Sequence, residues 1–210
     1  MTRAQIHEFF SRLQAANPVP KGELDYTNPF TLLVAVALSA QATDVSVNKA
    51  TPKLFAQADT PEKMVSLGED KIRDCIKTIG LFNAKAKNVV AMSEMLIRDY
   101  GGIVPQTRDE LIKLPGVGRK TANVVLSMAF GIPTIAVDTH VFRVSNRTGL
   151  AKATTPDKVE EKLMKVIPPE FLFHAHHWLI LHGRYTCLAR KPKCSQCVVR
   201  DLCAFKEKTE

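Results

Sequence analysis

No stretch of this chain is apolar for the roughly 20 residues that a membrane-spanning helix requires. Residues 32–38 (LLVAVAL) are apolar all round but far too short, which fits a helix buried in a core. The first ten residues lack the layout of a signal peptide. A cytoplasmic protein is therefore expected, in a compartment that keeps thiols reduced and disfavours disulfides. Alternating apolar and polar runs long enough for a sheet are missing too, so the expected class is all-α. Internal repeats, low-complexity segments and obvious linkers are absent, and composition alone marks no domain boundary.

What remains is an ordinary globular composition with an excess of positive charge. Hydrophobic residues make up 45% of the 210 and charged residues 24%. The net charge is +8 and the pI is near 9.3. A compact protein this basic either carries a solvated cationic surface or meets an anionic partner, with nucleic acid the first candidate.

Apolar periodicity and end signals divide the chain into helices. Ile6, Phe9, Phe10 and Leu13 recur at helical spacing, and Asn17-Pro18 stops that helix. Pro29 suits the first turn of the apolar helix after Asn28. Thr60 is the expected cap of a short helix starting at Pro61. Another is expected over 69–79, closed by Gly80, and a longer one over 83–100, closed by Gly101-Gly102. Thr107 and Glu110 have capping-box spacing before Leu111 and Leu114. Pro115-Gly116 ends that helix and another starts near Arg119. Further helices fit 139–148, 156–166 and roughly 170–186.

Four of the five cysteines are spaced Cys187-x6-Cys194-x2-Cys197-x5-Cys203. Reduced thiols this close together point to a metal centre. Only Cys194 and Cys197 are closely spaced, so neither the paired pattern of a structural zinc site nor a ferredoxin pattern is matched. Zinc and iron–sulfur both stay open on spacing. Cys75 lies apart and reads as a small buried residue. Lys191 and Lys193 fall inside the Cys187–Cys194 loop, where a pinned loop would hold them for phosphate contact. His174, His176 and His177 do not have the i, i+4 spacing of a helical zinc pair and read as packing or surface residues.

The segment LPGVGRK (114–120) joins two helices. Its glycines leave backbone N–H groups exposed at a helix start, a natural phosphate site. Gly116, Val117, Gly118 and Arg119 are therefore candidate DNA contacts. Lys120 sits in the first turn of the second helix, where the positive end of the helix dipole disfavours a cation. That field, and any burial, would favour the neutral amine that a Schiff-base nucleophile needs. A plain phosphate contact is the other reading of Lys120. Asp138 is placed to cap a helix from Thr139. One carboxylate oxygen can cap while the other faces substrate, and a carboxylate can stabilise positive charge developing on a sugar. His140, two residues on, could line such a site.

Segments LPGVGRKTANV (114–124), VDTHVFR (137–143), LHGRYTC (181–187) and the four-cysteine spacing occur in that order, as does SAQATD (39–44). Together they resemble the endonuclease III branch of the helix-hairpin-helix glycosylases, from about residue 20 to residue 205. The resemblance implies two helical domains with the active site between them. One is a six-helix barrel over 22–133, with the helix-hairpin-helix at about 108–128. The other, built from 1–21 and 134–210, carries a [4Fe–4S] cluster on a loop over 187–203. It implies Cys187, Cys194, Cys197 and Cys203 as the cluster ligands, which is how zinc is set aside. It also implies Lys120 as the nucleophile at C1′, Asp138 as its assistant, and Gln41 and Leu81 as wedges filling the stack vacated by a flipped nucleotide. The implied substrate is damaged double-stranded DNA carrying oxidised or ring-saturated pyrimidines. Base removal would be followed by β-elimination 3′ to the lesion.

Three rivals stand beside this reading: a non-catalytic helix-hairpin-helix DNA-binding protein, a monofunctional glycosylase and an electron-transfer protein. A monomer is expected, since no exposed apolar stripe suggests a partner.

Overall fold

The computed structural model describes residues 1–209. Eleven α-helices and one short 3-10 turn account for its regular structure, with no strand among the described residues. In chain order the helices are α1 Arg3–Ala16, α2 Pro29–Leu38, α3 Asp44–Phe55, α4 Pro61–Leu67, α5 Glu69–Ile76 and α6 Phe82–Tyr100. They continue as α7 Arg108–Leu111, α8 Arg119–Phe130, α9 Thr139–Thr148, α10 Pro156–Val166 and α11 Pro169–Tyr185. The all-helical class expected from the sequence is thus the observed one.

The chain divides into two compact units: a central unit, Glu23–Gly131, and a terminal unit of Met1–Gly22 with the chain from Ile132 onward. In the central unit α2 is the buried helix. Phe30 to Val36 and Leu38 all lie inside except the half-buried Ala37. Its start is well determined. Asn28 accepts from the Thr31 N–H at 2.8 Å, Thr31 Oγ1 accepts from the Asn28 N–H at 3.0 Å, and Pro29 supplies a preset φ where no N–H is needed. Helix α8 packs on α2, burying Thr121 to Ser127, while α4 and α5 pack on α6.

Aromatic packing closes the terminal unit. Phe10 of α1 stacks on Phe171 of α11 with centroids 5.8 Å apart, and Phe171 meets Trp178 edge-on at 6.2 Å. The Trp178 indole N–H donates to the Asn17 carbonyl at 2.8 Å, so the end of α1 is tied to α11 by a polar bond as well. The two ends of the chain thereby share one core with α9 and α10.

Two features differ from the sequence-based expectations. Helix α3 is not among the helices expected from the sequence, and it carries Pro52 in its interior with the loss of one helical N–H. Burial of Val47, Ala50 and Leu54 outweighs that loss. The helix expected over 69–79 instead ends at Ile76, with Lys77 as its right-handed cap. Gly80 does not take the left-handed conformation expected of a closing glycine. Leu81 does, at φ 60°.

Asn28 holds two elements at once, since its Nδ2 also donates to the Asp59 carbonyl at 2.9 Å. Replacing it with alanine (Asn28→Ala) should destabilise the protein by about 1–2 kcal/mol, read from urea unfolding.

Candidate functional site

In the central unit, the hairpin between α7 and α8 is shaped by one left-handed residue. Gly116 has φ +79°, and a Cβ there would come within 3.1 Å of the Asn88 side chain. Both facts favour glycine. Val117 departs from its expected role. Its side chain is only 7% exposed and its N–H donates to the Leu114 carbonyl at 3.1 Å, so it serves the turn and the core. Gly118 is the N-cap of α8 in extended conformation, and no side chain caps the helix. The first turn therefore presents backbone N–H groups and the positive end of the dipole outward. Lys120 is exposed at the second position of α8, and Arg119 is half-buried beside it.

Three non-glycine residues among those described have positive φ: Gln41 at 55°, Leu81 at 60° and Lys191 at 47°. Each such conformation costs about 1–2 kcal/mol. All three are residues that the sequence reading assigned to DNA contact, and all three are exposed. Leu81 in particular leaves 61% of its surface in solvent, so the strain is not offset by burial of its side chain. Strain retained at exposed positions is commonly a mark of function. Gln41 and Leu81 also line one cavity of about 150 Å³, together with Lys85, Asn88, Pro115 and Gly116.

In the terminal unit, α9 links the aspartate to the cysteine loop. Asp138 is its N-cap, with Oδ1 accepting from the Val141 N–H at 2.8 Å. The second carboxylate oxygen is not engaged in the cap. His140 is half-buried, its Nδ1 lies 3.2 Å from an Arg143 guanidinium nitrogen, and its backbone faces Gly183 of α11. A Cβ on Gly183 would lie 2.7 Å from the His140 Cβ and 3.2 Å from its Cα, so glycine alone permits this approach. His140 is thereby a packing residue between α9 and α11.

Further along α9, two arginines grip the start of the cysteine loop. Arg143 donates to the carbonyls of Cys187 at 3.0 Å and Gly183 at 2.8 Å. Arg147 donates to those of Leu188 at 2.6 Å and Ala189 at 2.8 Å, lies 3.8 Å from the Cys187 sulfur, and stacks over Phe205 at 4.9 Å. Neither arginine is marked by a spacing rule in the sequence. Only Arg143's place in the VDTHVFR segment marked it.

Cys187, Cys194, Cys197 and Cys203 line a single cavity with His182, Lys193, Arg200 and Lys208. Four cysteines lining one cavity can serve a common metal centre. Burial pushes the Cys197 and Cys203 thiols up, and the neighbouring cysteines push the same way. Ionising all four therefore calls for a positive centre among them. His182, whose Nε2 is 3.7 Å from the Cys197 sulfur, is held down to about 4 by burial, so it stays neutral beside that sulfur. Lys191 and Lys193 are exposed on this loop.

Residues 34–169 match the family model described as HhH-GPD superfamily base excision DNA repair protein. That class agrees with a helical fold carrying an uncapped glycine hairpin. Residues 187–203 match the iron-sulfur binding domain of endonuclease III. Endonuclease III of Escherichia coli (strain K12) is 57% identical over 210 residues, covering 100% of both chains. The Haemophilus influenzae (strain ATCC 51907) endonuclease III is 58% identical over the same 210 residues, again with full coverage of both. A solved structure of a trapped endonuclease III–DNA covalent intermediate is 47% identical, with a TM-score of 0.91 over 97% of this chain and 96% of that one. The chain belongs to the endonuclease III family. It is an enzyme of base excision repair whose cofactor is a [4Fe–4S] cluster.

Gly183→Ala should separate α9 from α11, destabilising the protein by about 1–3 kcal/mol in denaturant unfolding. Arg147→Leu removes two donors to the loop. The purified variant should lose its brown cluster absorbance in air several-fold faster than the parent, and an unchanged rate would show that the arginine does not hold the loop.

Proposed function

We propose that this enzyme removes oxidised or ring-saturated pyrimidines from duplex DNA and then cleaves the strand 3′ to the abasic site, with Lys120 as nucleophile and Asp138 as the assisting carboxylate. The observation that carries the reading is the position of Lys120. It stands exposed in the first turn of a helix that no side chain caps, directly after glycines suited to phosphate contact. Gly116, Gly118 and Arg119 would grip the backbone without reading bases. Gln41 and Leu81 would enter the stack as the damaged nucleotide turns out of it. His140 would act through packing behind Asp138, and Lys191 and Lys193 would meet phosphates.

The chemistry needs a neutral amine. The Lys120 Nζ forms a bond to C1′ as the glycosidic bond breaks and the base leaves with its electron pair. The attacking nitrogen gives up a proton, the C1′–O4′ bond breaks with O4′ taking a proton, and the opened sugar is left with an imine between C1′ and Nζ. The imine acidifies the C2′ protons; one is removed, and the C3′–O3′ bond breaks with the phosphate as leaving group. Asp138 stabilises positive charge developing on the sugar and can accept or relay a proton through the oxygen that the cap leaves over. The cluster, when bound, would supply a positive core for four thiolates, and the cysteines of 187–203 would hold it so that their loop is ordered. The partner is damaged double-stranded DNA. No helix among the described residues is long and apolar enough to cross a membrane, and the reading includes a monomer working in the cytoplasm at the nucleoid.

Incubation with a duplex containing one thymine glycol, followed by borohydride, should give a permanent protein–DNA adduct on a denaturing gel. Lys120→Ala should give none. Tight binding without an adduct in the parent would favour a monofunctional glycosylase or a binding protein instead. Asp138→Asn separates the two roles of the aspartate, since asparagine caps helices about as well. Thermal stability should hold within a few degrees while base release falls by about 10²-fold or more. Equal losses in both would leave Asp138 as a cap only.

A further inference from the structure

The cavity bordered by Gln41 and Leu81 contains an amine with nothing to meet it. Lys85, in the first turn of α6, is 7% exposed, and its Nζ is buried without a hydrogen-bond partner in the protein. Burial pushes its pKa down, with no ion pair acting against that shift. A buried amine without an acceptor is costly to a fold, and an apolar side chain of the same length would be the less costly occupant. None of the roles proposed above uses it. Its surroundings are the two strained, exposed residues Gln41 and Leu81 on one side and Asn88, Pro115 and Gly116 of the hairpin region on the other.

We infer that this cavity is a subsite for an acceptor oxygen of DNA, with Lys85 as its donor, so that Lys85 positions the nucleic acid where Gln41 and Leu81 enter it. The inference rests on the reading of Gln41 and Leu81 as DNA contacts. An incoming oxygen supplies the missing partner, and the gain is largest when that oxygen is anionic, because a charge pair in a poorly solvated cavity is weakly screened. Two sources carry the chemistry: a backbone phosphate, and the carbonyl of the base left without its partner.

The test uses the cluster-loaded enzyme and a duplex bearing a tetrahydrofuran abasic analogue, which binds without being cleaved. Lys85→Met keeps the length of the side chain and removes the amine. Its melting temperature should equal or exceed the parent's, while its affinity for the duplex falls tenfold or more. Stability gained and binding lost together are what a merely structural lysine would not give. Lys85→Gln provides a second variant if the first fails to fold. Loss of folding in both would overturn the inference, because such an amine would already be satisfied in the free protein. A stable variant that binds like the parent would overturn it as well.

Gln41→Ala and Leu81→Ala separate the two readings. If they weaken binding and Lys85→Met does not, only the Lys85 subsite fails. If none of the three weakens binding, the wedge reading fails with it. Neutral methylphosphonates placed one at a time around the lesion, on both strands, identify the source. One position that costs the parent its advantage but leaves Lys85→Met unaffected assigns a phosphate. If none does, and replacing the opposite guanine by 2-aminopurine removes the advantage, the acceptor is the guanine carbonyl. If neither substitution touches the difference between parent and variant, no acceptor oxygen meets Lys85 and the inference is wrong.

Discussion

The grip of Arg143 and Arg147 on the loop carbonyls is the interaction on which the terminal unit's functional parts depend. The loop from 187 to 203, with four cysteines and one 3-10 turn, makes its own backbone hydrogen bonds between 192 and 203. Its opening carbonyls, from Cys187 to Ala189, are satisfied by two guanidinium groups on α9. Planar, permanently charged donors suit this task, since each can reach two acceptors at a set angle without changing protonation. The same helix is capped by Asp138 at its other end. Ten residues of α-helix, about 15 Å long, thus tie the position of a carboxylate to that of the cysteine loop.

Close backbone approach is the second constraint. Gly183 lets α11 lie against His140, and Gly116 lets the hairpin lie against Asn88. A methyl group at either place would push apart elements that carry functional side chains. Gln41, Leu81 and Lys191 show a different balance. There the backbone holds a conformation that glycine would adopt more readily, while the side chains face solvent. A fold selected for stability alone would place glycine at such positions. Retention of glutamine, leucine and lysine is understandable if the side chains meet something outside the protein.

Much of the architecture was legible in the sequence because it is local. The caps Asn28, Thr60 and Asp138 and the closing Gly101 act within one helical turn of themselves. Period-3.6 burial picks out Ile6, Phe9, Phe10 and Leu13 directly. Helix α3 is held by non-local packing: burial of Val47, Ala50 and Leu54 outweighs the loss of the N–H at Pro52. At Gly80 the local rule favoured glycine for the left-handed turn, and the chain put Leu81 there.

By itself the sequence determined the helical class, the ends of most helices, the clustering of four thiols and the hairpin that begins α8 with Lys120. These depend on residue type and spacing over a few positions. Only the tertiary structure decided that Val117 faces inward, that Arg143 and Arg147 hold the cysteine loop across more than forty residues of chain, and that Lys85 is buried beside Gln41 and Leu81. No spacing rule reports these relations. They arise when helices distant in sequence pack together, and packing sets which polar atoms find partners and which are left without one.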